Sequence, residues 1–207
     1  MYSGEVMENR PMTIATIKKI TLAEYLTNDD GTGTRYELVD GELTRMSLGT
    51  GEHDNISEFL NDEFKAEIKR LGLDWVAKDM KIGIQSPRGT RWETARVPDV
   101  VVLPLEQWNS LKKRESFIPL NEPPPLLVVE VVSPSTVTVD YRAKHSEYAV
   151  LDIPEYWIVD PIDLKVTICA LKDGAYSDDV FVGDMTIVSP TFLELELKAS
   201  EVLGASR

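Results

Sequence analysis

Two short, almost uninterrupted apolar runs constrain this chain more than any other feature. Val97-Pro-Asp-Val-Val-Val-Leu103 and Leu126-Leu-Val-Val-Glu-Val-Val132 are too short for ordinary helices and too apolar for strands with one wet face. Valine-rich runs of this length are strands covered on both sides, so the chain should build a sheet layered between other elements. Each run nevertheless carries one carboxylate, Asp99 or Glu130. Burying an ionised carboxylate without a partner costs several kcal/mol, so Glu130 must be neutral, paired or bound to a cation. Asp99 alone could simply cap a turn before its strand. Glu130 sits mid-strand, where no local backbone motif accounts for an acid.

The other elements follow from periodicity and capping. Thr21-Leu-Ala-Glu24 has the form of a capping box and starts a short helix. In RYELVDGELTRMS, Asp40-Gly41 separates two alternating runs, the signature of a β-hairpin near the N-terminus. Ile56, Phe59, Leu60, Phe64, Ile68 and Leu71 recur at three- and four-residue steps, so a helix runs from His53 to about Leu71 and Gly72 closes it. Strands are expected at about 75–86, 97–103, 126–132, 155–160 and 164–171, with a long surface excursion over 104–125. A helix is expected at about 139–151 and a polar, acidic end after the last strand. This is a mixed α/β arrangement, a central mixed β-sheet flanked by helices. Residues 1–16 lack apolar periodicity and are expected to be a flexible lead-in, leaving 17–207 as a single domain.

At 207 residues the chain can bury a sizeable core within one domain. No apolar run approaches the roughly 20 residues that span a bilayer, and the first residues lack a signal-peptide pattern, so a cytoplasmic protein with no membrane partner is expected. Cys169 is the only cysteine, which excludes an intramolecular disulfide and any cysteine-rich metal site. It shares one face of a strand with Lys165 and Thr167 and reads as a bystander. A net charge of −13 argues against a polyanionic partner, but the charge is unevenly spread. Lys65 to Arg114 contains 11 Lys or Arg against 6 Asp or Glu, a net +5, which leaves −18 for the rest. Within that basic middle, Arg88, Arg91, Arg96, Lys112, Lys113 and Arg114 are candidates to neutralise phosphates, and Trp92 or Trp108 to stack on a base or to pack under loops.

If the two apolar strands are neighbours, Asp99 and Glu130 converge at one end of the sheet as an oxygen-rich site for Mg²⁺ or Mn²⁺. Such an ion would resolve the burial problem, activate water and neutralise charge on a phosphate, and a nearby lysine could orient the nucleophile. Lys144 is the best-placed lysine. Its spacing from Asp140 also fits an ordinary surface ion pair, and for that pair alone the surface reading is the stronger. His145 is expected to serve helix surface or packing.

Pro98-Asp99, Glu130 within VVEVVSPST, Asp140, Lys144 and PEYWIVDP at Pro154–Pro161 together resemble the Uma-two family. These proteins are assigned as restriction endonucleases, are abundant in cyanobacteria, and fall in the PD-(D/E)XK nuclease superfamily. RYELVDGE and His53 fit the same pattern, so the resemblance spans about 20–170. It implies a restriction-endonuclease-like fold, DNA as substrate and phosphodiester hydrolysis by metal-activated water, with Asp99 and Glu130 as metal ligands and Lys144 as the catalytic lysine. Glu37 and His53 are candidate accessory residues. Val132 stands where the superfamily pattern has a lysine, two places after the glutamate, so that role passes to Lys144. A homodimer would supply two sites for two strands. The rival readings are a catalytically silent module of nuclease fold, which the net charge favours, and, more weakly, a carboxylate-pair hydrolase acting on sugars.

Overall fold

A computed structural model describes residues 18–46, 49–87 and 92–205. The expected lead-in over 1–16 lies outside them, as do Arg88 and Arg91. The chain opens with α1 (Leu22–Leu26), capped by Thr21 through the capping box. The hairpin β1 (Tyr36–Val39) and β2 (Glu42–Arg45) follows, turning at Asp40 and Gly41 with φ of 51° and 77°. A side chain at Gly41 would also meet the Trp92 ring at 3.1 Å, so that glycine serves both the turn and the packing. Next comes α2 (Gly51–Leu71), which starts two residues before His53 because Thr50 caps the His53 amide, and which ends on left-handed Gly72.

The segment expected as one strand at 75–86 is two, β3 (Trp75–Asp79) and β4 (Gly83–Ser86), broken at Met80 with φ of 41°. They lie in different sheets. β5 (Thr94–Arg96) and β6 (Val100–Pro104) flank Asp99, which therefore precedes its strand. The excursion over 104–125 is partly ordered core: α3 (Leu105–Leu111) and β7 (Phe117–Ile118) bury Leu111, Phe117 and Ile118. β8 (Leu127–Val131) leads to a π-helical turn at Val139–Lys144 that runs directly into α4 (His145–Val150). β9 (Glu155–Asp160), β10 (Lys165–Lys172), β11 (Ala175–Val182) and α5 (Ala199–Gly204) complete the fold. The supposed polar end thus holds a strand and a helix, and Ile187, Phe192, Leu197 and Val202 bury in the core. Its apolar residues are too widely spaced among acids for periodicity to reveal them.

Two mixed sheets result, with strand orders β2-β1-β5-β4-β7 and β11-β10-β9-β8-β6-β3. In the larger sheet β8 and β9 are parallel and the other pairs antiparallel. Alternation sorts its side chains onto two faces. Val100, Val102, Val129, Val131 and Trp157 pack with Ile56, Leu60, Phe64 and Ile68 of α2. Val101, Leu103, Val128, Tyr156 and Ile158 pack with Tyr148 of α4. The β6–β8 register pairs Val100 with Val129 and Val101 with Val128. Extended one step, it sets Asp99 opposite Glu130, and both belong by parity to the α4 side rather than the α2 side.

Candidate active site

Asp99, Glu130, Asp140 and Lys144 are all buried, although they line a cleft of about 790 Å³ between the two sheets. Asp99 is anchored by the chain itself: the Val131 amide donates to its Oδ2 at 2.7 Å, and the Asp99 amide donates to the Val129 carbonyl. His53 Nε2 lies 3.2 Å from the same Oδ2, brought there by the first turn of α2. Burial alone would lower the His53 pKa, but contact with Asp99 and then Asp54 outweighs it and raises the ring to about 9.

Glu130 has two partners from the following helix. Lys144 Nζ is 2.7 Å from Oε2, and the Tyr148 hydroxyl donates to Oε1 at 2.6 Å. Lys144 and Tyr148 are one helical turn apart, so both reach the same carboxylate. Lys144 Nζ also lies 3.1 Å from Asp140 and 4.0 Å from Glu37. Neither Asp140 oxygen receives a well-formed hydrogen bond. The Asp140–Lys144 pair is therefore no surface pair: the wide π turn directs both side chains into the cleft, a local geometry that recurs at functional sites.

The electrostatics follow from crowding acids in a dry place. Burial first, and then the charges of Asp99, Asp140 and Glu37, raise Glu130 to about 8 against the opposing pull of Lys144. Burial would discharge Lys144, but the surrounding acids, Glu130 foremost, raise its pKa and keep it an ammonium. Lys144 is thus the cation set against Glu130 and Asp140, while His53 faces Asp99 and Arg96 pairs with Glu37. Asp99 and Glu130, opposed across β6 and β8, are the carboxylates that would share a divalent ion.

Glu37 belongs to a second network. Arg96 donates to its Oε2 at 2.9 Å and the Val97 amide to its Oε1 at 3.1 Å. Arg96 also grips Glu147 with two bonds, at 2.8 and 3.0 Å, and Ser86 adds a third to that carboxylate. Arg96 is 2% exposed, so it is a strut and not a contact for nucleic acid. Arg114 is tied to Glu122, and Trp108 packs against the core under Lys78. Lys112 and Lys113 are exposed; among the described residues exposed Arg45 lines the cleft, while exposed Arg35 and Lys81 line an adjoining pocket, Lys81 paired with Asp79 at 3.1 Å. Sequence reasoning missed the roles of Tyr148 and Glu147 and misread two residues, Asp140 as half of a surface pair and Arg96 as a phosphate contact. The signal was present: 140, 144 and 148 form one helical stripe, and Arg96 directly precedes the apolar run that carries Asp99.

Two further acids in the buried strands are plainly structural. Glu155 accepts from the Trp157 indole, the Ser189 hydroxyl and the Thr191 amide. Asp160 accepts from the Tyr141 hydroxyl and from the amides of Ile162 and Asp163. Neutral donors satisfy both, and neither lines the cleft.

The profile of the Uma2 family, described as "Putative restriction endonuclease", matches residues 22–200. An uncharacterized protein, sll1609, of Synechocystis sp. (strain ATCC 27184 / PCC 6803 / Kazusa) is 25% identical over 156 residues, covering 75% of this chain and 82% of its own length. A crystal structure from Anabaena variabilis ATCC 29413, described as "a putative nuclease belonging to DUF820", superposes with a TM-score of 0.71 over 91% of this chain and 99% of that one. At 18% identity that likeness shows the fold.

Proposed function

The chain belongs to the Uma2 (Uma-two) family, and on that premise we propose that it is a metal-dependent endonuclease that hydrolyses DNA phosphodiester bonds with water as the nucleophile. The observation that carries this reading is Lys144 Nζ, held 2.7 Å from Glu130 on the same cleft as Asp99. A site of this kind needs carboxylates to hold a cation and a lysine beside the reacting phosphate, and these residues supply both. Asp99 and Glu130 would hold Mg²⁺ or Mn²⁺, which when bound supplies Lewis-acid activation of water and charge neutralisation on the phosphate. Lys144, kept protonated by its acidic neighbours, donates toward the nucleophile or the developing phosphorane charge. Tyr148 fixes the Glu130 carboxylate, and Glu37 reaches Lys144 from the Arg96 strut. His53, cationic at neutral pH, positions Asp99 and adds positive charge beside the cleft. Arg45 on the cleft and Arg35 and Lys81 beside the adjoining pocket would meet backbone phosphates, and a homodimer would present one such cleft to each strand.

One observation favours a catalytically silent module: Lys144 already neutralises part of the carboxylate cluster without a metal. Cleavage of plasmid, linear and single-stranded DNA with Mn²⁺, Mg²⁺ or chelator separates the two readings. The nuclease reading expects metal-dependent cleavage that falls roughly 100-fold or more in Lys144→Ala. Metal binding with no cleavage of any substrate would favour the silent module, and equal cleavage by the variant would remove Lys144 from the chemistry.

A further inference from the structure

On the α4 side of the larger sheet, near its β11 edge, three dissimilar side chains converge. The antiparallel register sets Cys169 of β10 directly opposite Asp178 of β11, so both project to one face. His145, the first residue of α4, lies over that face with Nε2 3.0 and 3.1 Å from the two Asp178 oxygens. An imidazole nitrogen, the Cys169 sulfur and an Asp178 oxygen all lie within 4.8 Å of one another. Among the described residues it is the one group of this kind. The Tyr176 ring stands edge-on to His145, with centroids 5.2 Å apart, and supports its orientation.

The exposure is graded in a way that suits entry of an ion. Cys169 is fully buried, whereas the side chains of His145 and Asp178 are 25% and 43% exposed. The sulfur is the buried donor, and the other two donors reach solvent. A salt bridge between His145 and Asp178 would need no sulfur within reach, and core packing of Cys169 would need no charged pair above it. One nitrogen, one sulfur and one oxygen suit a borderline cation such as Zn²⁺ or Co²⁺ far better than Mg²⁺.

We propose that His145, Cys169 and Asp178 form a three-ligand site for a Zn²⁺-class cation, with water in the fourth position. The site is separate from the Asp99–Glu130 cleft and does not depend on the nuclease reading. On binding, the Cys169 S–H bond breaks, a sulfur–metal bond forms and one proton leaves to solvent, while His145 binds neutral and Asp178 ionised. Because His145 directly follows Lys144, the ion would tether the start of α4 to the β10–β11 hairpin.

The test is Co²⁺ titration of the full chain, read by thiolate-to-cobalt charge-transfer absorption. Cys169 is the only cysteine, so that band can report no other residue. With excess Mg²⁺ present to occupy the Asp99–Glu130 cleft, the expected result is one thiolate-bound Co²⁺ per chain, displaced by Zn²⁺, with the band lost in Cys169→Ser. His145→Gln and Asp178→Asn retain the sulfur and are partly exposed, and each should weaken Co²⁺ binding about tenfold or more. Absence of the band in the wild-type chain at saturating Co²⁺ would overturn the site. Unchanged affinity in both His145→Gln and Asp178→Asn would overturn it equally.

Discussion

At the residue scale, the decisive distinction is between buried acids that neutral donors satisfy and buried acids that other acids crowd. Glu155 receives three neutral donors, so Glu155→Gln should leave metal binding and any cleavage unchanged while costing about 1–3 kcal/mol of stability in denaturant unfolding. Glu130 is the opposite case. With its pKa at about 8, a proton competes with a cation below that pH. Mn²⁺ affinity should therefore rise with pH, by up to about tenfold per unit, and level off above about pH 8. A flat profile across pH 6 to 9 would contradict competition between a proton and the cation at Glu130. The strut makes a separate prediction: Arg96→Met leaves Glu147 buried without its cation and should cost about 3–5 kcal/mol in chemical denaturation. A loss within about 0.5 kcal/mol would mean that the network is slack.

At the scale of elements, the apolar runs around Asp99 and Glu130 were legible because period and composition leave a two-faced strand no alternative. The pairing of the two acids was legible only conditionally, since it required β6 and β8 to be neighbours, and the register supplies that. The Asp140–Lys144 pair was misread because four-residue spacing describes an exposed helix and a buried one equally well; the π turn and the two sheets around it decide which face is dry. Likewise Arg96 looked like a surface cation in a basic stretch until β5 was placed between β1 and β4. The C-terminal strand and helix escaped notice because β11 is an edge strand with exposed acids, and a solvated edge carries little hydrophobic period. Packing of α2 can be probed by Phe64→Ala, which removes a ring 5.3 Å from both Trp157 and Phe192. A loss of about 3–5 kcal/mol is expected by thermal or urea unfolding.

At the scale of the whole molecule, a chain of net charge −13 that cuts DNA, as proposed, would have to approach it through a local patch. Among the described residues the exposed cations on the cleft and the pocket adjoining it are few, Arg45 on the first and Arg35 and Lys81 on the second. DNA affinity should therefore be modest, with a shallow salt dependence that each charge-removing change at these three positions lowers by about one phosphate contact. No helix among the described residues is long and apolar enough to cross a membrane. What unites the scales is the claim that the acids opposed across β6 and β8 exist to hold a divalent ion beside Lys144. Calorimetric titration of Mn²⁺ into the wild-type chain, Asp99→Asn and Glu130→Gln tests that claim most directly. The account predicts one hard-cation site, weakened about tenfold or more in each variant with folding retained. Mn²⁺ binding of the same affinity and stoichiometry in all three proteins would contradict it.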